Sequence, residues 1–305
     1  MTAAAAERTL APLGRRRAAV VAAERYGAYV VLSAADAGGP APDPGQFYML
    51  TAAERWGGGD DERPFLPRAF SVMRRHADGT LDFLLEAVGP GTERLAELAP
   101  GDDLWLLGPL GRGFAPPRDG RRPLLVGGGV GTAPLAIWSD ALTQSASSAA
   151  DGHDAGARTG TGDDPLVLLG FRDAAHAAGA ALIDGARVAT DDGSAGHRGV
   201  VTDLLRDALG RTVARTPIAE AAVQATGGRN TDWEVYACGP PPMLEAVRAL
   251  CARDGVPAQL ALESGMACGY GACFGCVVAT RAGYVRLCVD GPVLDAADLD
   301  EVTHP

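Results

Sequence analysis

Four cysteines crowd one short stretch near the end of the chain: Cys268, Cys273, Cys276 and Cys288, spaced C-x4-C-x2-C-x11-C. No other feature constrains the fold as much. Thiolates at such spacing can surround one compact metal centre, so the segment must be a loop wrapped around that centre and not a regular helix or strand. Gly269, Gly271 and Gly275 lie between the cysteines. Such a loop needs left-handed backbone in places and amides that approach sulfur closely. The chain has six cysteines, and placing four of them together is the usage of a reducing compartment, with thiols as ligands and not as disulfides.

C-x4-C-x2-C followed by a more distant cysteine is the spacing of plant-type 2Fe–2S centres. The same four side chains could hold zinc, or could be buried free thiols. Structural zinc sites usually pair two short C-x-C hairpins with two to four intervening residues. This stretch has one short pair, which favours iron–sulfur.

The 305 residues suffice for two domains, or two plus a small appendage, and at 47% hydrophobic they can bury a sizeable core. A net charge of −11 without a basic stripe argues against nucleic acid and against anionic membrane surfaces as partners. The apolar run after Arg15–Arg17 stops at Glu24, too short for a signal peptide. The run from Leu124 to Trp138 is broken by four glycines and Pro134, so it is no membrane span. A cytoplasmic protein is expected.

Residues 1–118 read as β. Ala18–Ala23, Tyr29–Ser33, Gln46–Leu50, Ala69–Arg74, Leu81–Ala87 and Asp103–Leu107 are short apolar or alternating runs separated by turn chemistry, and predict a small antiparallel barrel. One helix, Thr92–Leu98, interrupts them, with Leu95 and Leu98 on one face. From residue 119 to 255 buried strands (Pro123–Val126, Leu166–Gly170, Val188–Thr190, Trp233–Ala237) alternate with helices (Thr132–Leu142, Val200–Leu209, Met243–Arg253), which predicts a doubly wound parallel sheet. Ser145–Asp164 and Arg211–Thr231 read as surface loops. Residues 256–305 carry the cysteines, a few short strands and an acidic tail.

Four further motifs carry chemistry. Arg68-Ala69-Phe70-Ser71 offers charge-assisted donors to a phosphate and an aromatic for a flat ring, although a Phe at such a place is more often core. Gly89-Pro90-Gly91-Thr92 precedes a helix, with free amides and a capping hydroxyl, and could also be an ordinary N-cap. Gly127-Gly128-Gly129-Val130-Gly131 joins a buried strand to a helix. It can cradle a pyrophosphate or merely turn the chain, and it lacks the full G-x-G-x-x-G fingerprint. Cys238-Gly239-Pro240 ends a strand where open α/β sheets bind ligands, with a buried thiol as the alternative. Cys251, inside a helix, reads as core. Arg172, after a strand, could meet a 2′-phosphate, and Asp173 beside it could prefer a free ribose hydroxyl. The five histidines are scattered in polar context without a metal or triad pattern, and no G-x-S-x-G supports hydrolysis.

The order R-x-F-S, G-x-G-T, G-G-G-x-G, C-G-P-x-x-M resembles the ferredoxin-reductase superfamily, in which a flavin-binding barrel precedes a pyridine-nucleotide domain. From Glu263-x-x-Met266-x-Cys268 to Cys288-x-Asp290-Gly291-Pro292 the chain resembles a narrower family: the electron-transfer subunit of NAD-dependent (class 1B) dihydroorotate dehydrogenase. Leu107-Gly108-Pro109-Leu110-Gly111 and Asp191-Asp192-Gly193-Ser194 share in that likeness. Pro90 and the two long insertions depart from it.

The resemblance implies an FAD barrel (1–118), an NAD(P) domain (119–255) and a 2Fe–2S subdomain (256–305). It implies that Arg68, Ala69, Phe70 and Ser71 hold FAD. Leu84, Leu85 and Glu86 would lie along the flavin, with Gly91 and Thr92 on its pyrophosphate. Gly127, Gly128, Gly129, Gly131, Cys238, Gly239 and Pro240 would line the nicotinamide nucleotide site, and Cys268, Cys273, Cys276 and Cys288 would bind 2Fe–2S. No side chain is required as a catalytic acid or base. The implied partner is an FMN-containing dihydroorotate dehydrogenase catalytic subunit, in a heterotetramer of two each, and the chain alone is expected to be inactive on dihydroorotate. NADP stands open beside NAD. Two other readings compete: the reductase subunit of a sulfhydrogenase or of a ferredoxin–NADP transhydrogenase, and a non-enzymatic docking module with a zinc-bound tail. The face around Tyr270 and Phe274 is expected to meet the redox partner, or else to pack on the barrel.

Overall fold

The computed structural model describes residues 14–58, 63–118, 120–150, 164–213 and 232–302. Strands β1 (Arg16–Tyr26), β2 (Tyr29–Ala35), β3 (Phe47–Ala52), β4 (Arg68–Arg75), β5 (Thr80–Glu86) and β6 (Asp103–Leu110) close into a barrel in the order β1-β2-β5-β4-β3-β6. All neighbouring pairs are antiparallel. Alternation explains the closure: Leu104 and Leu106 of β6 turn inward and are fully buried, while Trp105 and Leu107, alternating with them, stay half-buried outside. Leu32, Leu50, Val72, Phe83 and Leu85 fill the interior with them.

Helix α1 (Pro90–Ala96) follows β5 and buries Leu95 against that core, with Leu98 just beyond it. It begins two residues before the expected start. Gly89 is the N-cap and Pro90 takes the first helical position, where a missing N–H costs nothing. Pro90, out of place in the family comparison, is thus well placed physically.

The second unit is a seven-stranded sheet with the order β10-β9-β8-β7-β11-β12-β15. Its members are β7 (Arg122–Gly128), β8 (Leu166–Phe171), β9 (Arg187–Thr190), β10 (His197–Arg198), β11 (Trp233–Cys238), β12 (Ala258–Ala261) and, antiparallel at the edge, β15 (Val293–Asp295). The rest pair in parallel. Its central strands are apolar on both faces. Leu124 and Val126 pack toward helices α4 (Val201–Val213) and α5 (Pro241–Asp254), and Leu125 packs toward α2 (Thr132–Ala150) and the barrel. A short helix α3 (Ala174–Ala177) follows β8.

Both helices flanking the expected surface loops run longer than the sequence suggests. α2 continues through Ser145 to Ala150, because an Ala/Ser run has no helix breaker and Ala is the best helix former. α4 continues to Val213. Residues 151–163 and 214–231 of those stretches lie outside the described residues.

β12 and β15 belong to the nucleotide-type sheet, although both lie after residue 255. The chain leaves this sheet after β12 and returns at β15. The excursion holds the cysteine loop, the hairpin β13 (Val277–Thr280) and β14 (Gly283–Arg286), and a single helical turn α6 (Leu287–Asp290).

Candidate functional site: two cavities and a cysteine loop

The strand order reverses between β7 and β11, the place where open α/β sheets bind ligands. The loops after these two strands are Gly127–Gly131 and Cys238–Pro240, and they touch. A Cβ on Gly131 would stand 2.2 Å from the Cys238 carbonyl oxygen, so only glycine allows the contact. Gly129 adopts φ +56°, and the Thr132 hydroxyl donates to its carbonyl at 2.9 Å as α2 begins.

A cavity of about 480 Å³ opens at this point. Gly128, Gly129, Pro240 and Met243 form one wall, Phe171, Arg172, His176, Asp191 and Val201 another, and Tyr29 and Glu86 of the barrel close it. Gly127, Gly131, Cys238 and Gly239 do not line it. Gly127 instead makes room for Leu169, and the Cys238 thiol is buried, with burial and the nearby Glu263 carboxylate pushing it well above its ordinary range. Asp173 is likewise absent from the cavity. It caps α3 by accepting from the His176 amide at 3.0 Å, and the carboxylates lining the cavity are those of Glu86 and Asp191.

A second cavity of about 260 Å³ lies between the barrel, the start of α2 and the segment after β12. Ala69, Phe70, Ser71, Leu84, Glu86 and Thr92 line it as one group, joined by Phe47, Val130, Ala133, Glu263, Ser264, Met266 and Pro292. Leu85 does not line it. Strand alternation points Leu85 into the barrel core, so only its backbone faces that way. Arg68 stands apart from this cavity, with its guanidinium against Gly91, where a Cβ would come within 2.5 Å of Nε, and over the Trp56 ring at 5.9 Å. The Thr92 hydroxyl accepts from the amides of Val88 at 2.9 Å and Gly89 at 3.2 Å, holding the turn from within α1 and not as its N-cap.

Two features give the second cavity unmet polar groups. The Ser264 hydroxyl is buried on its wall with no partner, an arrangement that costs free energy until something supplies the hydrogen bond. Glu263 is accessible through the cavity, yet the protein around it desolvates the carboxyl and raises its pKa. Glu86 lines both cavities. Ser264 was invisible as a site residue from spacing alone. Asp191 had a signal in its place at the carboxyl end of a strand.

The cysteines come together in two pairs. Cys268 contacts Cys273, and the Tyr270, Cys273 and Ala272 amides point at its sulfur. Burial pushes this thiol up, but those contacts outweigh it and bring it to about 7. Cys276 contacts Cys288, whose thiol is pushed up to about 12 by burial first and by Cys276 second. The Gly275 amide donates to the Cys273 sulfur and the Cys288 amide to the Cys276 sulfur, both at 3.5 Å. Two pairs fit a centre of two irons, each taking two thiolates, with amides directed at sulfur. Gly269 sits against Met49 and Leu110, which seats the loop on the outside of β3 and β6. Met266 on the cavity wall is only two residues from Cys268.

Residues 263–300 match the family model described as the iron–sulfur cluster binding domain of dihydroorotate dehydrogenase B. The electron transfer subunit of dihydroorotate dehydrogenase B (NAD(+)) from Geobacillus kaustophilus is 35% identical over 268 residues, covering 84% of this chain and 86% of that one. The counterpart from Caldanaerobacter subterraneus subsp. tengcongensis is 31% identical over 86% of this chain and 88% of its own. This chain belongs to the family of dihydroorotate dehydrogenase B electron transfer subunits. The fold of this family member recurs in the structure of an NADH-dependent reduced ferredoxin–NADP oxidoreductase (TM-score 0.68, 24% identity, 93% of this chain and 90% of that one). It recurs also in the ferredoxin reductase of carbazole 1,9a-dioxygenase (TM-score 0.58, 23% identity, 80% of this chain and 66% of that one). Both likenesses concern architecture: barrel first, parallel sheet second.

Proposed function

We propose that this chain passes electrons from a separate FMN-containing dihydroorotate dehydrogenase subunit, through a 2Fe–2S centre and FAD, to NAD+ in pyrimidine biosynthesis. One observation carries the reading: the nucleotide-sized cavity, the Glu86 partition, the second cavity, the Met266–Cys268 link and the paired cysteines form one uninterrupted sequence of neighbours. When bound, FAD interconverts hydride and single electrons and the cluster conducts the latter. The side chains position and shield. Arg68, Gly91 and Thr92 would hold the FAD pyrophosphate, Phe70, Ser71, Leu84, Glu86 and Ser264 its ring and ribityl part, with Ala69 and the Leu85 backbone beside them. Cys268 with Cys273, and Cys276 with Cys288, would each take one iron.

Gly128, Gly129 and Pro240 would line the nicotinamide nucleotide, with Gly127, Gly131, Cys238 and Gly239 shaping the loops from behind. The cavity favours NAD over NADP: Asp191 is on its wall, and Arg172 is already engaged by Glu86 at 2.9 Å. A 2′-phosphate would meet the carboxylate.

Tyr270, Phe274 and Tyr284 are exposed beside the cysteine loop, Phe274 at 63% and in left-handed backbone. Their exposure supports assigning this face to the catalytic subunit, in a heterotetramer of two each. The chain alone is then inactive on dihydroorotate. The thiol usage supports a cytoplasmic location, and none of the described helices is long and apolar enough to cross a membrane.

The deciding experiment is the visible spectrum of anaerobically purified protein, with iron, sulfide and flavin quantified, before and after NADH. About two irons and one FAD per chain, both bleached by NADH, are expected. Zinc in place of iron, or no flavin, would overturn the reading.

A further inference from the structure

Tyr29 opens β2 on the outer face of the barrel and packs among residues of the sheet unit. It is only 1% exposed, yet it lines the larger cavity, and among the described residues no group hydrogen-bonds its hydroxyl. A buried tyrosine ordinarily finds a partner for that group. Glu86 stands opposite Tyr29 in the pairing of β2 with β5, but its carboxylate accepts from Arg172 at 2.9 Å instead. Burial first, and the Glu86 charge second, push the hydroxyl above its ordinary range, so it keeps its proton and can donate.

Packing holds the ring where it is. Gly179 lies against it, where a Cβ would stand 3.0 Å from Cε2, Phe171 is 6.4 Å away between ring centroids, and His176 meets it edge-on at 5.6 Å. The backbone is fixed as well. The Ala28 amide donates to the Ala175 carbonyl at 3.0 Å, and Gly27, at φ +58°, allows the approach, since a Cβ there would collide with that oxygen. The hydroxyl faces the turn after β7: a Cβ on Gly129 would come to 3.7 Å from Tyr29 Oη, the one atom within 4 Å of it. That turn runs into the N-terminus of α2, where helix amides and the helix dipole favour an anion.

We propose that the Tyr29 hydroxyl donates to the pyrophosphate of a dinucleotide seated on the Gly128–Gly129 turn. The proposal rests on the nucleotide reading of that cavity. The sheet supplies the turn and the barrel supplies a fixed donor facing it, so the dinucleotide bridges the two units. A donor already held by packing loses little freedom when the phosphate arrives. The charged groups on the wall leave room for this role: Glu86 and Asp191 are carboxylates and Arg172 is engaged by Glu86, so the anion is met by neutral donors, the turn amides and this hydroxyl.

The test is Tyr29→Phe in the full-length protein, which removes the oxygen and keeps the ring, so Tm and flavin content should stay at wild-type values. Calorimetry with NAD+ and with ADP-ribose, which share the pyrophosphate, should show both bound about tenfold more weakly, the scale of one hydrogen bond to a charged group. The 31P signals of bound NAD+ should differ between variant and wild type. Wild-type affinity for both ligands overturns the proposal and leaves the nucleotide reading standing. Weakened NAD+ with unchanged ADP-ribose overturns it too, by placing the hydroxyl on the nicotinamide end. So does a fall in Tm with unchanged 31P signals, which would make the hydroxyl structural. Wild-type protein that binds no NAD+ at all overturns the nucleotide reading and this role with it.

Discussion

Asp191 and Ser264 are the residues whose roles depend most on a single functional group. If the Asp191 carboxylate rejects a 2′-phosphate, Asp191→Ser should raise the NADPH-to-NADH ratio of kcat/KM about tenfold, the scale of one like-charge contact relieved. Steady-state kinetics with an artificial electron acceptor measures it, and an unchanged ratio would place specificity elsewhere. Ser264 is the orphan donor of the second cavity. Removing a hydroxyl that hydrogen-bonds a ligand costs about 1 kcal/mol, so Ser264→Ala should release FAD about fivefold more readily in fluorescence titrations, with iron content unchanged.

The elements succeed by close approach of backbones. Gly131 lets the turn after β7 rest on the Cys238 carbonyl, and neither turn makes a site alone. Gly131→Ala forces them apart, at a cost of about 1–3 kcal/mol by the usual price of overpacking. It should lower Tm and weaken NAD+ binding together, whereas a fall in Tm alone would show the loops to be purely structural. Helix α3 offers a pH test. Its N-cap Asp173 is held below the ordinary carboxylate range, first by its bond with the His176 side chain and then by the His176 amide. A depressed carboxylate lends stability that is present above its unfolded pKa and lost as pH falls through the folded one. The Tm gap between Asp173→Ala and wild type should therefore be full at neutral pH and close in acid.

At the scale of the whole molecule, polar contacts join the barrel to the sheet at several points, Glu86 with Arg172 and the Ala28 amide with the Ala175 carbonyl among them. Arg74 of β4 donates to Asp140 of α2 at 2.9 Å and to the Leu182 carbonyl at 2.6 Å. Arg74→Ala should cost about 0.5–1 kcal/mol, as part-exposed ion pairs do, and broaden the calorimetric transition as the two units begin to unfold separately. A single sharp transition would mean that the apolar seam around Tyr29, Phe114 and Trp138 suffices. On the outer face, Phe274→Asp should abolish stable assembly with the catalytic subunit while iron and sulfide content stay at wild-type values. Normal assembly would move the interface away from the cysteine loop.

Much of this was legible in the chain itself. Short apolar or alternating runs between turns specified the barrel, strand–helix alternation specified the parallel sheet, and cysteine spacing specified the metal loop, because each is a local pattern that burial or ligation imposes on neighbouring residues. Tertiary structure alone decided which residues share a cavity. Glu86 and His176 are 90 positions apart, and no local pattern records that they meet. Leu85 shows the same limit in reverse: it sits between two residues that line a cavity, yet the pleat turns it into the barrel. Sequence determines the elements through short-range sterics and hydrophobic periodicity. The site arises where their ends converge, and that is set by packing between units far apart in the chain.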